Sequence, residues 1–93
     1  MSKEKEFYDK LKLSLDNSTK FPAKYLFKFI VPTSKNQLNE VKNIFDVSGA
    51  VINTKSSKTN KYVSVSIALV MASSDKIIEK YKEVSVIEGI ISL

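Results

Sequence analysis

The sequence predicts an α+β domain of the ferredoxin-like βαββαβ type, in which two helices cover one face of a four-stranded antiparallel sheet. An extra helix is predicted before it. The main observation is the strict alternation of apolar and polar side chains from Tyr62 to Met71, which is typical of a strand with one buried face. In addition, two segments with helical spacing each lie between strand-like segments. Because crossover connections are right-handed, both helices are expected on the same face.

The N-terminal segment 3–15 is predicted to be an amphipathic helix, since Phe7, Leu11 and Leu15 recur at helical spacing. A helix of this length is marginal in water and needs a surface to dock on. The polar residues 16–19 are typical of a helix end. We therefore divide the chain into a helix with its connector, residues 1–20, and a domain of residues 21–93.

The first predicted strand covers residues 23–31, and its two faces differ in composition. The aromatic face is expected to be buried because it removes the larger apolar area from water. The face with two Lys is expected to be open, as in a sheet that is covered on one side only. The buried set is Tyr25, Phe27, Phe29 and Val31, and the open set is Lys24, Leu26, Lys28 and Ile30.

The next helix is predicted to begin at a capping box, in which Ser34 and Gln37 satisfy the first helical N–H groups, and to run to about Asp46. Residues 50–56 are predicted to be a short polar strand at an edge of the sheet. Residues 57–60 then form a loop that leads into the long alternating strand.

The last helix is predicted to begin at Ser73–Asp75, where hydroxyl and carboxylate groups favour the helix N-terminus. Residues 86–93 are predicted to be the final strand. The first and third strands are the most apolar, and they occupy the centre of a ferredoxin-like sheet. The second and fourth strands are then expected at the edges.

The composition argues against catalysis and against tightly bound metals. The 93 residues include no Cys, no His and no Arg, and all fifteen basic residues are Lys. The usual general base, thiol nucleophile and soft metal ligands are thus missing. Ser73–Lys76 matches an S-x-x-K pattern but is interpreted as a helix cap. We predict no enzyme, no cofactor and no metal site.

The chain contains no apolar run near the roughly 20 residues that a membrane span needs, and its charged N-terminus does not resemble a targeting peptide. A cytoplasmic location without membrane contact is the expectation. The net charge of +5 is concentrated in residues 20–61, which carry eight Lys and two acidic residues. Such a region can attract polyanions. The alternative is an ordinary solvated surface.

Four local patterns resemble the YbeD-like family of small bacterial proteins of unknown function. They are the Phe21–Pro22 pair, the aromatic–Lys pair Phe27–Lys28, the Ser-Ser-Lys segment 56–58 followed by Tyr-x-Ser-Val-Ser at 62–66, and the acidic–aromatic segment 79–81. The Ser-Ser-Lys and Tyr-x-Ser-Val-Ser combination is the most specific of the four. The resemblance covers residues 21–93 and implies a fold similar to ACT-type regulatory domains.

The candidate binding site combines the loop before the third strand with outward side chains of the two central strands. Hydroxyl and ammonium groups gathered there would hold an anion, an acidic peptide or a nucleic-acid backbone. The alternative is a polar face that serves only solubility. The candidate residues are Lys24, Lys28, Ser56, Ser57, Lys58, Tyr62, Ser64 and Ser66.

We therefore expect a non-enzymatic regulatory or adaptor module that binds a protein partner or a small ligand. The alternative is a basic accessory protein that binds nucleic acid or another polyanion weakly. Sequence-specific RNA reading is not favoured, because Tyr62 is the one aromatic residue expected on the open face. Apolar residues on that face predict cover by the N-terminal helix or by a second copy, and the edge strand 50–56 offers another route to a homodimer.

Overall fold

The computed structural model describes residues 3–47 and 49–93, which form three helices and one four-stranded sheet. The elements are α1 (Lys3–Ser18), β1 (Ala23–Pro32), α2 (Gln37–Ile44), β2 (Val51–Ser56), β3 (Tyr62–Met71), α3 (Ser74–Val84) and β4 (Ile91–Ser92). All strand pairs are antiparallel, and the strand order is β2-β3-β1-β4. The predicted central position of the first and third strands is confirmed.

The core lies between one face of the sheet and helices α2 and α3. The inward residues of β3 are all buried, as the alternation predicted: Val63, Val65, Ile67, Leu69 and Met71. Phe27 of β1 is fully buried, and its ring centroid lies 4.9 Å from that of Phe45 and 5.4 Å from that of Tyr81. These ring contacts place both helices on the same face. None of the three helices that the structure describes covers the other face of the sheet, which is called the open face below.

Helix α1 packs beside α3 in the helical layer, so the predicted cover of the open face by this helix is wrong. Leu15 belongs to the core, and the Lys12 ammonium lies 3.1 Å from the Asp75 carboxylate. The helix also continues to Ser18, three residues past the predicted end. Asp16 stays helical because its carboxylate accepts a hydrogen bond from the buried Ser74 hydroxyl.

The predicted capping box of α2 is wrong, whereas the predicted cap of α3 is confirmed. The N-cap of α2 is Asn36, which has φ 62° and makes no side-chain cap bond. The Gln37 amide oxygen accepts instead from the Lys35 N–H at 2.8 Å. At α3, the Ser73 hydroxyl accepts from the Lys76 N–H at 3.3 Å.

The last strand is much shorter than the predicted segment 86–93, because β4 contains two residues only. After α3 the chain makes turns that bury Ile87 in the core. Gly89 has φ 75°, and a Cβ there would lie 2.7 Å from the Pro32 side chain. This close turn delays pairing with β1 until Ile91. Among the described residues, no helix has the length and apolar character to cross a membrane.

Candidate functional site

The loop between β2 and β3 is a tight hairpin whose backbone is held by Ser57. The Ser57 N–H donates to the Tyr62 carbonyl at 2.9 Å, and the Ser57 hydroxyl accepts from the Tyr62 N–H at 3.2 Å. The Asn60 N–H donates to the Ser57 carbonyl at 3.0 Å. Asn60 has φ 57°, a left-handed conformation that Asn adopts more readily than most residues. The loop therefore has a defined shape.

Thr33, at the exit of β1, anchors this loop to the centre of the sheet. Its hydroxyl donates to the Asn60 carbonyl at 2.8 Å and is 3.2 Å from the Lys61 carbonyl. The Thr33 N–H also donates to the Lys61 carbonyl at 3.0 Å. The sequence offers no signal for this contact, because Thr33 is 27 residues away from Asn60 along the chain.

A cavity of about 420 Å³, called the loop cavity below, lies between this hairpin and the open face. Five of the eight predicted site residues line it: Ser56, Ser57, Lys58, Tyr62 and Ser64. The structure thus brings together the loop and the start of β3, as the sequence predicted for these five. Tyr62 is 47% exposed, in agreement with its predicted outward direction.

The other three predicted residues, Lys24, Lys28 and Ser66, share the open face but do not line the loop cavity. Lys28 is paired with Ser66 across the central strands, and Lys24 is paired with Val70 at the far end. Lys28 and Ser66 therefore lie next to the loop cavity, and Lys24 lies beyond it. The predicted site therefore separates into a cavity and a Lys-bearing surface that extends from it.

Two further residues line the loop cavity that sequence reasoning left out of the site, Ile30 and Lys55. Both are paired with Ser64, one on each side of β3. Ile30 is far from Ser64 along the chain and could be found only with the strand register, whereas Lys55 directly precedes the predicted residue Ser56. With Lys55 included, two ammonium groups and several hydroxyls surround the same space.

Charge is divided between the two layers of the molecule. The strands and the β2–β3 loop carry five Lys and no acidic residue: Lys24, Lys28, Lys55, Lys58 and Lys61. All five are exposed, and none forms an ion pair with any residue that the structure describes. The remaining ten Lys are matched by all ten acidic residues. The sheet side thus carries a charge equal to the whole net charge.

In the helical layer, by contrast, several Lys form ion pairs with acidic residues, among them Lys12, Lys76 and Lys80. The hydrogen bond to Asp75 holds the pKa of Lys12 above its ordinary value, and the Ser74 hydroxyl lowers the pKa of Asp16. On the helix side of the molecule, the Lys35 ammonium likewise lies 2.9 Å from the Glu88 carboxylate.

The loop cavity suits an anion and not a metal ion. Its lining offers ammonium and hydroxyl donors from residues such as Lys55, Lys58 and Ser57, and no carboxylate. Within residues 3–47 and 49–93, no group of three or more acidic side chains is placed to hold a metal. The open face beside the cavity is also partly apolar, because Leu26 is 51% and Val70 63% exposed.

Comparison with known proteins identifies a family for most of the chain. The family model described as "Protein of unknown function (DUF493)" matches residues 16–93, and this is the YbeD family that the loop motif resembles. No curated protein and no solved structure matches the chain. The matched region contains the sheet, the loop cavity, α2 and α3. The chain therefore belongs to the DUF493 family of proteins of unknown function.

Proposed function

We propose that this protein is a non-enzymatic, cytoplasmic regulatory or adaptor module that binds an anionic protein segment or small ligand through its open face and loop cavity. The observation that carries the proposal is the charge division, with five exposed Lys and no acidic residue on the sheet side. A ferredoxin-like, ACT-like arrangement is part of the proposal. The strand order and the two helices on one face support it.

The loop cavity is the proposed position of the first anionic group. Lys55 and Lys58 supply ammonium groups, and Ser57 and Ser64 supply hydroxyls on the same lining. Hydrogen bonds between such donors and a carboxylate or phosphate are stronger than bonds between neutral groups. Their loop is already ordered by its own hydrogen bonds, so binding would cost little further conformational entropy.

The open face provides further positions for negative charge at regular spacing. Lys28 is two residues from Ile30 of the cavity lining, and Lys24 is four residues further along the same strand. At about 3.3 Å per residue, the two Lys are about 13 Å apart along β1. An extended partner with several acidic side chains matches this spacing better than a compact ion does.

The free edge of β2 favours a protein segment as the partner. Ser57 bonds to Tyr62, and alternation in an antiparallel pair then directs the backbone groups of Ile52, Thr54 and Ser56 away from β3. Within the described sheet no strand pairs with this edge. A segment that added there would place alternate side chains beside Lys55 on the open face.

The test is binding of a synthetic extended peptide in which Glu alternates with Val and Thr, followed by amide chemical-shift mapping and calorimetry. We expect shifts in β2, the loop and β3. The Lys55→Gln/Lys58→Gln double variant should weaken binding by about tenfold, since two charge-assisted contacts are lost. Lys42→Gln on α2 is the matched control, because Lys42 is exposed in the helical layer.

The rival function is weak binding of nucleic acid, which the Lys-only surface and the exposed Tyr62 also favour. The same titration with a single-stranded RNA at 50 and 200 mM NaCl separates the two. Loss of RNA binding at 200 mM with retained peptide binding supports the adaptor role. Tight RNA binding at 200 mM NaCl, with no chemical-shift change on addition of the peptide, would instead support nucleic-acid binding and contradict the adaptor role.

A further inference from the structure

A second concave surface, called the aromatic groove here, lies in the helical layer away from the open face. It has a volume of about 520 Å³ and is bounded by α1, α3 and the C-terminal residues 90–93. Phe7, Tyr8 and Leu11 form one wall, and Tyr25 and Tyr81 form the inner wall. Phe7 is 61% exposed, although its ring lies 5.5 Å from that of Tyr8. Large apolar area is therefore left in contact with water at this place.

The inner wall carries two hydrogen-bonded hydroxyls, those of Tyr25 and Tyr81, and one of them still has a proton to donate. The Tyr25 and Tyr81 oxygens are 2.9 Å apart, so one hydroxyl donates to the other. The accepting hydroxyl retains its own proton for a further acceptor. Burial, reinforced by the bond with Tyr25, raises the pKa of Tyr81. Tyrosine phenols are protonated near neutral pH, so the accepting hydroxyl of the pair can donate to a ligand.

One ammonium group, that of Lys82, lies at the rim of the aromatic groove. The Lys82 ammonium lies 5.4 Å from the centroid of the Tyr8 ring, within the range of a cation–π contact. Lys82 takes part in none of the ion pairs of the described residues. None of the side chains that line the groove is acidic. An anionic group at this rim would meet the Lys82 ammonium and the hydroxyl pair of the inner wall.

The dimensions favour a small molecule over a protein element. A volume of about 520 Å³ lies within the roughly 300–1,000 Å³ of ordinary ligand pockets. The groove is lined by residues 7–11 of α1 and by residues 81–85 at the end of α3, about one turn of each helix, which is a short trough for a docked helix about 10 Å wide. Aromatic walls with a few polar groups are also the usual lining of small-molecule sites.

We propose that the aromatic groove binds a small aromatic carboxylate, with its ring between Tyr8, Leu11 and Tyr81 and its carboxylate near Lys82. This site is independent of the loop cavity, because it lies in the helical layer and uses different residues. The hydroxyl pair and the Lys82 ammonium select for the anion, and the apolar walls select for the ring.

The test uses 2-naphthoate as the probe, with its neutral analogue 2-naphthamide, and the full chain labelled for amide chemical-shift mapping. We expect naphthoate to shift amides of α1, of residues 81–85 and of residues 90–93, and to bind at least fivefold more tightly than naphthamide. Tyr81→Phe keeps the ring and should weaken naphthoate about two- to tenfold, as loss of one hydrogen bond predicts.

Lys82→Gln should weaken naphthoate severalfold and bring its affinity close to that of naphthamide. Lys76→Gln on the same helix is the matched control and should leave binding unchanged, because Lys76 forms an ion pair with Glu79, whereas Lys82 lies over the Tyr8 ring of the groove. Equal binding of both probes, unchanged affinity in both groove variants, or shifts confined to residues 55–64 would each overturn the proposal. None of these results bears on the peptide test of the open face.

Discussion

The contact between Thr33 and the β2–β3 loop gives a sharp test of how the loop cavity is held in shape. Thr33→Val keeps the size and the β-branch but removes the hydroxyl that donates to the Asn60 carbonyl. The hydroxyl has a single proton, so the variant loses one hydrogen bond. Because the site is exposed and water can replace the donor, we expect a loss of about 1 kcal/mol in the free energy of unfolding.

The assay is urea denaturation followed by circular dichroism, together with amide hydrogen exchange. With a slope of about 1 kcal/mol per M, the urea midpoint should fall by about 1 M. Exchange of the Tyr62 N–H, which bonds to Ser57, should accelerate. Thr54→Val is the control, since the structure assigns its hydroxyl no hydrogen bond and β2 is at the sheet edge. Equal midpoints for Thr33→Val and wild type would refute the anchoring role of Thr33.

Three more outcomes test the core, the titration and the helix cap. Phe27→Ala should lower the free energy of unfolding, measured by urea denaturation, by about 3–5 kcal/mol, whereas Leu26→Ala on the open face should lower it by less than about 1 kcal/mol. Similar losses for the two variants would contradict the assigned strand faces. Tyr81 has a raised pKa through burial, so the unfolded state releases this proton first, and stability should decline as pH rises above about 10. Tyr81→Phe should show a shallower decline between pH 9 and 11. Ser73→Ala removes the α3 cap and should lower the thermal midpoint by about 4–8 °C, equivalent to about 1 kcal/mol.

The buried face of β3 was predictable from its alternating sequence, because a one-residue change of register would expose all of its apolar side chains to water. The alternate residues Val63, Val65, Ile67, Leu69 and Met71 could therefore be assigned to the core, and Tyr62 and Ser64 to the open face, without any structure. The same parity placed the predicted site residues of this strand, Tyr62, Ser64 and Ser66, on one surface. The loop cavity itself depends on which residues are opposite one another, and Lys55 and Ile30 enter it only through pairing with Ser64.

The errors occurred where contacts distant in the sequence override local preference. Asp16 is a poor helix residue by propensity, yet its bond to Ser74 keeps it in α1. The segment after α3 is rich in β-branched residues, which favour a strand, but Ile87 turns into the core and Gly89 packs against Pro32. In both cases the deciding partner is more than 50 residues away, so no local pattern could reveal it.

The same charge division bears on the homodimer that the exposed apolar residues of the sheet would otherwise suggest. Two copies that met through their open faces would bury Leu26 and Val70, but they would also bring together two sets of unpaired Lys. Like charges at an interface cost several kcal/mol when water is excluded. An acidic partner removes this cost and can still cover the apolar residues. We therefore propose that the open face binds a partner of opposite charge rather than a second copy of itself.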